Sequence, residues 1–544
     1  MNTHPMPPPP LEPADPYAVL GVLDVIEVGP PRLTPTSLDM PYTVRPKEGP
    51  EETLMLRIRW EEDVFIPGDP ESENLACLVG AQAALNYGLF CERLVFRGRY
   101  DKADRRLLVG MAENTAREIL VNRILADNPF LTEAAQGLPR ALRDRYCRAH
   151  LEFPEVEAPP CLPWETDPNR HLVLSSGGKE SLLGHGLLTE LGREVHPVFI
   201  NESGRHWNTA LTAYRWFREE VPATSRVWTD VDRLYTGMLR LLPFVRPDFQ
   251  RRRADIYPLR LWTVSGLIFS ALPLARRRGI GRLVIGDEHD TTVRSVDRGI
   301  THYHGLYDQS RWFDEALTRY YNRKGWGVLQ LSLLRPLSEL LIEKLLVERY
   351  PALQTLQVSC HAATVEGDRA RPCGRCEKCR RVVGMLVALG ADPTRCGYTA
   401  AQVTSCLEAL AAGGLHQEAA GARHLQHLLQ TAGHLPGAPA VRPSPEVLSL
   451  RFHPERSPMD GIPADLRGPL YRIFLSHADG ALERVGRSWR SMDPLSVAHL
   501  ALPHLSEQAN PGAPSAFAGT AGPEEHLLGE LTWPVLRDHL KDIL

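Results

Sequence analysis

Leu172-Val173-Leu174-Ser175-Ser176-Gly177-Gly178-Lys179-Glu180-Ser181-Leu182-Leu183-Gly184-His185-Gly186-Leu187-Leu188 is the stretch whose reading decides the fold. The apolar run before the glycines reads as a strand, and the spaced apolar residues after Ser181 read as a helix. A Gly-rich turn therefore joins strand to helix. That order aims free backbone N–H groups and the positive end of a helix at one point, which favours a phosphate-bearing ligand. The glycines allow close backbone approach, Ser176 and Ser181 offer hydroxyls, and Lys179 offers a cation. Ser175 to Ser181 is accordingly the candidate nucleotide loop, with Ser175, Gly177, Gly178 and Glu180 in the binding set. It is not a Walker P-loop, which needs two glycines flanking four residues before Lys-Ser or Lys-Thr. A Gly-rich turn without a ligand is the alternative, and the flanking strand and helix weigh against it.

Outward from this loop, strands are expected at His171–Leu174, Val195–Ile200, Arg226–Thr229, Leu283–Ile285 and Val328–Leu333. Helices are expected at Ser181–Leu191, Trp207–Glu219, Pro258–Arg276, Arg311–Tyr321 and Glu339–Arg349, the last started by Pro336 and Ser338. The alternation predicts an α/β fold with a doubly wound parallel sheet over 166–395. Such sheets bind ligands beyond the carboxyl ends of their strands. The tips Asn201–His206 and Gly286–Asp290 fall there. His206 and His289 are proton-transfer candidates because imidazole titrates near neutral pH. Glu288 joins them, and Lys179 and Ser181 complete the catalytic candidates. Arg205, Asp287, Tyr303, His304 and Arg335, with Glu202, are candidates for touching substrate. For each, a solvated loop residue is the plain alternative. Arg251-Arg252-Arg253 reads as a solvated charge run.

A second motif is Cys360-x12-Cys373-Gly374-Arg375-Cys376-Glu377-Lys378-Cys379. Four thiolates at this spacing can close a tetrahedral zinc site, and four protein ligands leave no open position for catalysis. A structural Zn2+ is expected, with an iron–sulfur cluster as the alternative and His361 as a bystander. The remaining cysteines are scattered, which fits a reducing cytosol better than a disulfide scaffold.

At 544 residues the chain is long enough for two to four domains. The expected divisions are a disordered Pro-rich tail at 1–49, an α+β domain at 50–160, the 166–395 domain, a small helical segment at 396–431, and a mostly helical extension at 446–544. A formal net charge of -4 leaves no strong nucleic-acid footprint. The N-terminus lacks the order of a signal peptide. The most apolar long window, Leu259 to Ala275, is interrupted by Arg260, Thr263, Ser265 and Pro273, so no membrane span is expected. A cytoplasmic enzyme acting on a small molecule is the expectation, and nothing in the sequence sets an oligomeric state.

The loop resembles the Ser-Gly-Gly-x-Asp-Ser pattern of the PP-loop ATP pyrophosphatase superfamily, with Glu180 where the pattern has Asp. The matched positions are Ser176, Gly177, Gly178, Lys179 and Ser181. The loop together with the cysteine motif is similar to the QueC group, which makes a 7-deazaguanine nitrile. Other blocks are similar to the MurL-type muropeptide epimerases. These are Leu331 to Leu345, the Gly286-Asp287-Glu288 tip, His302-Tyr303-His304, Asp308–Phe313, and the unit from Leu54 to Leu125. The resemblance implies an enzyme that uses ATP and Mg2+ to adenylate a carboxylate, releasing pyrophosphate. The epimerase branch implies a nucleotide-sugar peptide substrate, UDP-N-acetylmuramoyl-L-alanyl-L-glutamate, whose terminal glutamate is inverted. The other readings are a nucleobase-modifying ATP pyrophosphatase and a non-catalytic nucleotide-binding module.

Overall fold

A computed structural model describes residues 15–158, 162–204, 206–252, 258–260, 263–303, 306–360, 362–413 and 418–504. Arg205, His304 and His361 lie outside the described residues, as do the ends of the chain at 1–14 and 505–544; His206 is described in its backbone alone.

The strands of the main sheet are β1 (Leu23–Val28), β2 (Arg32–Thr34), β3 (Ser37–Pro46), β4 (Glu52–Trp60), β5 (Cys91–Phe96), β6 (His150–Glu152), β7 (Asp167–Ser175), β8 (Glu194–Asn201), β9 (Ser225–Thr229) and β10 (Ile280–Val284). A hairpin, β11 (Arg294–Asp297) and β12 (Ile300–Tyr303), precedes the last strand of that sheet, β13 (Leu329–Leu331). The order across the sheet is β13-β10-β7-β8-β9-β4-β3-β1-β5-β6, with β2 on β3. The run β13 to β9 is parallel throughout, as are the pairs β1–β5 and β5–β6. The protein is therefore a mixed α/β fold around a mostly parallel sheet.

The helices are α1 (Pro70–Ala81), α2 (Lys102–Ile119), α3 (Lys179–Glu190), α4 (His206–Glu220), α5 (Val231–Arg240), α6 (Val264–Arg278), α7 (Arg311–Arg323) and α8 (Glu339–Arg349). Strand alternation sends successive side chains to opposite faces. Leu172, Val198 and Leu283 join Phe269 and Leu272 of α6 in one core. Their neighbours Val173, Phe199 and Val284 join Leu183 of α3, Ala213 of α4 and Leu341 of α8 in another. The expected central strands and helices all form, α8 with the expected Ser338 cap, whose Oγ accepts from Leu341 N at 3.0 Å. The most apolar window lies over α6, which is buried in the protein core; among the described residues no helix is long and apolar enough to cross a membrane.

Three expectations change. From residue 15 onward the opening segment is not a tail, because β1 to β3 belong to the sheet. The proline content hid a period-two pattern in which Leu38, Met40, Tyr42 and Val44 are buried. The 50–160 unit is not separate from the next, because β4 pairs antiparallel with β9 and one core runs through both. The described part of 446–504 is not mostly helical: β16 (Leu450–Phe452), β17 (Ala481–Val485) and β18 (Ser488–Ser491) form a sheet beside α13 (Ala464–Leu475) and the short α14 (Val497–Leu500). Its strands are three to five residues long, too short for alternation to register.

Candidate active site and metal centre

From β7 the chain proceeds to β8 and β9 on one side and to β10 and β13 on the other. The order reverses between β7 and β10, and such a point opens a crevice at the strand ends. A cleft of about 530 Å³ lies there. Its walls include Ser176 and Glu180 after β7, Glu202 after β8, Asp287 and Glu288 after β10, and Glu339 at the start of α8.

Gly177 has φ +74°, and a β-carbon on it would stand 3.1 Å from Ala210 Cα and Thr209 O. Only glycine makes this turn without strain. Gly178 is the N-cap residue of α3, and among the described residues no side-chain cap bond closes that end. Ser175 Oγ donates to Ser181 Oγ at 3.2 Å, which donates to Gly178 O at 3.1 Å, so these two hydroxyls brace the turn from inside. Ser176 is exposed and faces outward. The loop is thus a rigid cradle with uncapped donors at its mouth.

Lys179 is buried and pairs with Glu180 and, at 2.8 Å, with Glu339 Oε1. Burial disfavours its charge, yet Glu180, Glu339 and Glu288 hold the ammonium well above the usual lysine range. Arg381 Nε lies 3.2 Å from the same Glu339 oxygen. Burial also opposes ionisation of Glu339, and Lys179 and Arg381 outweigh it, keeping that carboxyl below its ordinary range. Glu288 is the opposite case. Burial first, then the negative charges of Asp290 and Glu180, push its carboxyl well above the normal value, against the pull of Lys179. Asp287 is raised for the same leading reason, burial, with Arg335 pulling the other way.

The sequence-selected residues divide. Lys179, Glu180, Asp287 and Glu288 meet in the cleft with Ser175, Ser176 and Gly178. Arg335 stands behind it, donating to Asp314 Oδ2 at 2.6 Å and to Asp287 Oδ2 at 3.4 Å, so it supports the Asp287 loop. Tyr303 is buried against Tyr307, with its backbone N–H on Glu118 at 3.0 Å, outside the cleft lining. His289 is wholly buried and turned away from the cleft, its Nδ1 2.9 Å from Ser457 Oγ. Glu288 lines the cleft and its neighbour His289 does not, and strand-end position alone does not reveal that.

Sequence reasoning missed Glu339, Lys378, Arg381 and Arg123, all of which line the cleft. Glu339 was findable, because it follows β13 as Glu288 follows β10. Arg123 comes from a single π-helical turn, Leu120–Ile124, that continues α2; such turns recur at functional sites.

The cysteines converge. The Sγ atoms of Cys360, Cys373, Cys376 and Cys379 lie within 4.8 Å of one another. Sulfur–sulfur separations are 3.5 Å for Cys376–Cys379, 3.9 Å for Cys373–Cys379 and 4.0 Å for Cys376–Cys360. A tetrahedron with metal–sulfur bonds of about 2.3 Å has edges of about 3.8 Å, so the quartet fits one structural ion such as zinc. Backbone N–H groups of Cys373 and Ala362 point at Cys360 Sγ at 3.2 and 3.3 Å, the donors a thiolate needs. A hairpin, β14 (Thr364–Glu366) and β15 (Arg369–Arg371), lies between Cys360 and the other three cysteines, and Cys376 caps α10 (Glu377–Ala388). That helix carries Lys378 and Arg381 to the cleft, so the metal site and the phosphate-type loop share a wall. Beyond it lie the short helix α9 (Pro351–Gln354) and, after the knuckle, α11 (Ala400–Ala412) and α12 (Ala419–Thr431), which form the expected helical segment.

Compared with known proteins, the chain matches no family model and no curated sequence.

Proposed function

We propose that the protein is an ATP pyrophosphatase-type enzyme with a doubly wound PP-loop domain that adenylates a carboxylate, forming AMP and pyrophosphate. The carrying observation is the uncapped Gly178 start of α3 beside a buried, doubly paired lysine at the strand-order reversal. Phosphates would lie on the N–H groups of the loop, with Ser176 and Lys179 as further donors. Magnesium would come with the phosphates and neutralise charge on them. Such an ion keeps several waters and needs only one or two protein carboxylates. Glu180 is the nearest to the loop.

The acceptor we favour is UDP-N-acetylmuramoyl-L-alanyl-L-glutamate, with inversion of its terminal L-glutamate. A free carboxylate resists loss of its α-proton, because a second negative charge would build up. As a mixed anhydride that charge is gone and the carbon is acidified. Glu288, a buried cleft carboxyl raised above its ordinary range, suits return of a proton to the opposite face, and the cations of Lys378 and Arg381 suit stabilisation of an enolate-like oxygen. Removal of the α-proton by a base, its replacement on the other face and attack of water on the anhydride carbonyl then release AMP and leave a D-glutamate terminus. Incubation with ATP and this substrate, followed by acid hydrolysis and chiral amino-acid separation, tests the reading. D-glutamate formed with AMP is expected; pyrophosphate released only on a deazaguanine would move the protein to the nucleobase branch.

A further inference from the structure

The C-terminal unit, 447–504, carries no residue in the cleft, yet it grips the loops that supply Glu288 and Glu339. Arg451 N donates to Pro336 O at 2.8 Å, and Ser338 Oγ donates to Val447 O at 2.6 Å. Both contacts fall on the turn that leads into Glu339. Arg451, almost wholly buried, makes a two-pronged pair with Glu418 at 3.0 Å on each arm. Farther along, Asp465 takes both arms of Arg282 in β10 at 2.6 and 2.9 Å. The unit is thus fastened to the strand that ends in the Glu288 loop and to the turn opposite it.

The tightest grip is on His289. Its ring is 0% exposed and sits among Trp489, His453 and Ser457, with centroids 6.0 Å from Trp489 and 6.3 Å from His453. Ser457 Oγ gives its one proton to Arg451 O at 2.6 Å. It must therefore accept from His289, which fixes the ring as the Nδ1–H tautomer. Among the described residues Nε2 has no hydrogen-bond partner. The Ser457 hydroxyl, with the Arg451 carbonyl beside it, then orients the ring. Its backbone N–H is held by Leu337 O at 3.0 Å, across the cleft-side turn. With His289 anchored in the wall, its neighbour Glu288 lines the cleft beside Asp287.

We propose that the C-terminal unit is a clamp that holds the Glu288 loop in its working position, with His289 and Ser457 as positioning residues. The consequence for turnover rests on the adenylation reading given above; the clamp itself does not. Ser457→Ala removes the hydroxyl acceptor of the buried Nδ1–H, a loss of about tenfold in the equilibrium that keeps the loop closed.

The test is hydrogen–deuterium exchange on the full chain, wild type against Ser457→Ala, with AMP formation measured alongside. Amides at 286–290 are expected to exchange about tenfold faster in the variant, with 176–181 unchanged. The kcat is expected to fall while KM for ATP stays put, and Ser457→Thr, which keeps the hydroxyl, is expected to restore both. Ser457→Cys, a weaker acceptor of similar volume, should give the same pattern at smaller amplitude. Unchanged exchange at 286–290 overturns the clamp, as does an equal rise at 176–181 or a loosened loop with unaltered kcat. A wild type that forms no AMP with any acceptor sinks the adenylation reading instead, and the exchange comparison still decides the clamp.

Discussion

Lys179 is the residue whose removal is most informative, because it joins the loop to α8 through a buried pair. At 2.8 Å from Glu339 Oε1, the attraction is about 6 kcal/mol at an effective dielectric constant of about 20. Desolvation of two ions, several kcal/mol each, offsets most of it. Taking one partner away is a different matter, since Glu339 would then keep its burial cost with only Arg381, at 3.2 Å, to compensate. Lys179→Met, which preserves the stem, should therefore cost about 3 kcal/mol of stability, at the low end for a broken buried pair. Glu339→Gln in the same chain removes the stranded charge. The double variant should be more stable than the sum of the single changes predicts by about 2 kcal/mol. Urea unfolding followed by tryptophan fluorescence reads both quantities. AMP formation should be absent from Lys179→Met and stay absent from the double variant, which separates the lysine's role on phosphate from its role in the fold. A loss below about 1 kcal/mol for Lys179→Met, or strict additivity, would refute the coupling.

Three further outcomes follow from other parts of the site. Zinc should be present at about one equivalent per chain by elemental analysis, and Cys376→Ser should lose it and lower AMP formation, because α10 carries Lys378 and Arg381. Gly177→Ala should destabilise the protein by about 1–2 kcal/mol, the cost of a left-handed backbone with a β-carbon, and should raise KM for ATP; unchanged KM would show that the turn does not cradle phosphate. Glu343, wholly buried on α8 with Gln357 Nε2 at 2.8 Å, is pushed up to about 7 by burial, against the pull of Lys179. A raised carboxyl stabilises the fold fully below its unfolded value, and the contribution is lost as pH rises through about 7. Glu343→Gln should therefore gain on wild type by about 3 kcal/mol between pH 4.5 and pH 8, and parallel stability curves would contradict it.

How much of this was legible in the sequence depends on the range of the interaction. The Ser175–Ser181 turn, the central strands and helices, and the cysteine quartet are all encoded in neighbours a few residues apart, where periodicity and spacing carry the signal. The pairing of β4 with β9 joins residues about 170 positions apart, Ile58 with Thr229 among them, and no local pattern announces it. Within the site, Glu288 and His289 read alike as polar strand-end residues, yet one faces the cleft and the other the C-terminal unit. That choice is made by Ser457, far along the chain. Arg335 read as a ligand for substrate but is consumed by Asp314 and Asp287. A charged side chain near a strand end is equally suited to hold a loop or a ligand, and only its partners separate the two. The opening prolines misled in the other direction, because composition outweighed the alternation of Leu38, Met40, Tyr42 and Val44.

The measurement that bears most directly on the central claim is an end-point assay of nucleotide products. The protein is incubated with ATP, magnesium and a panel of carboxylate and nucleobase acceptors, and AMP, ADP, pyrophosphate and phosphate are resolved. The account predicts AMP and pyrophosphate in equal amounts, dependent on a carboxylate acceptor and absent from Lys179→Met. ADP with phosphate, or no turnover of ATP with any acceptor, would contradict it.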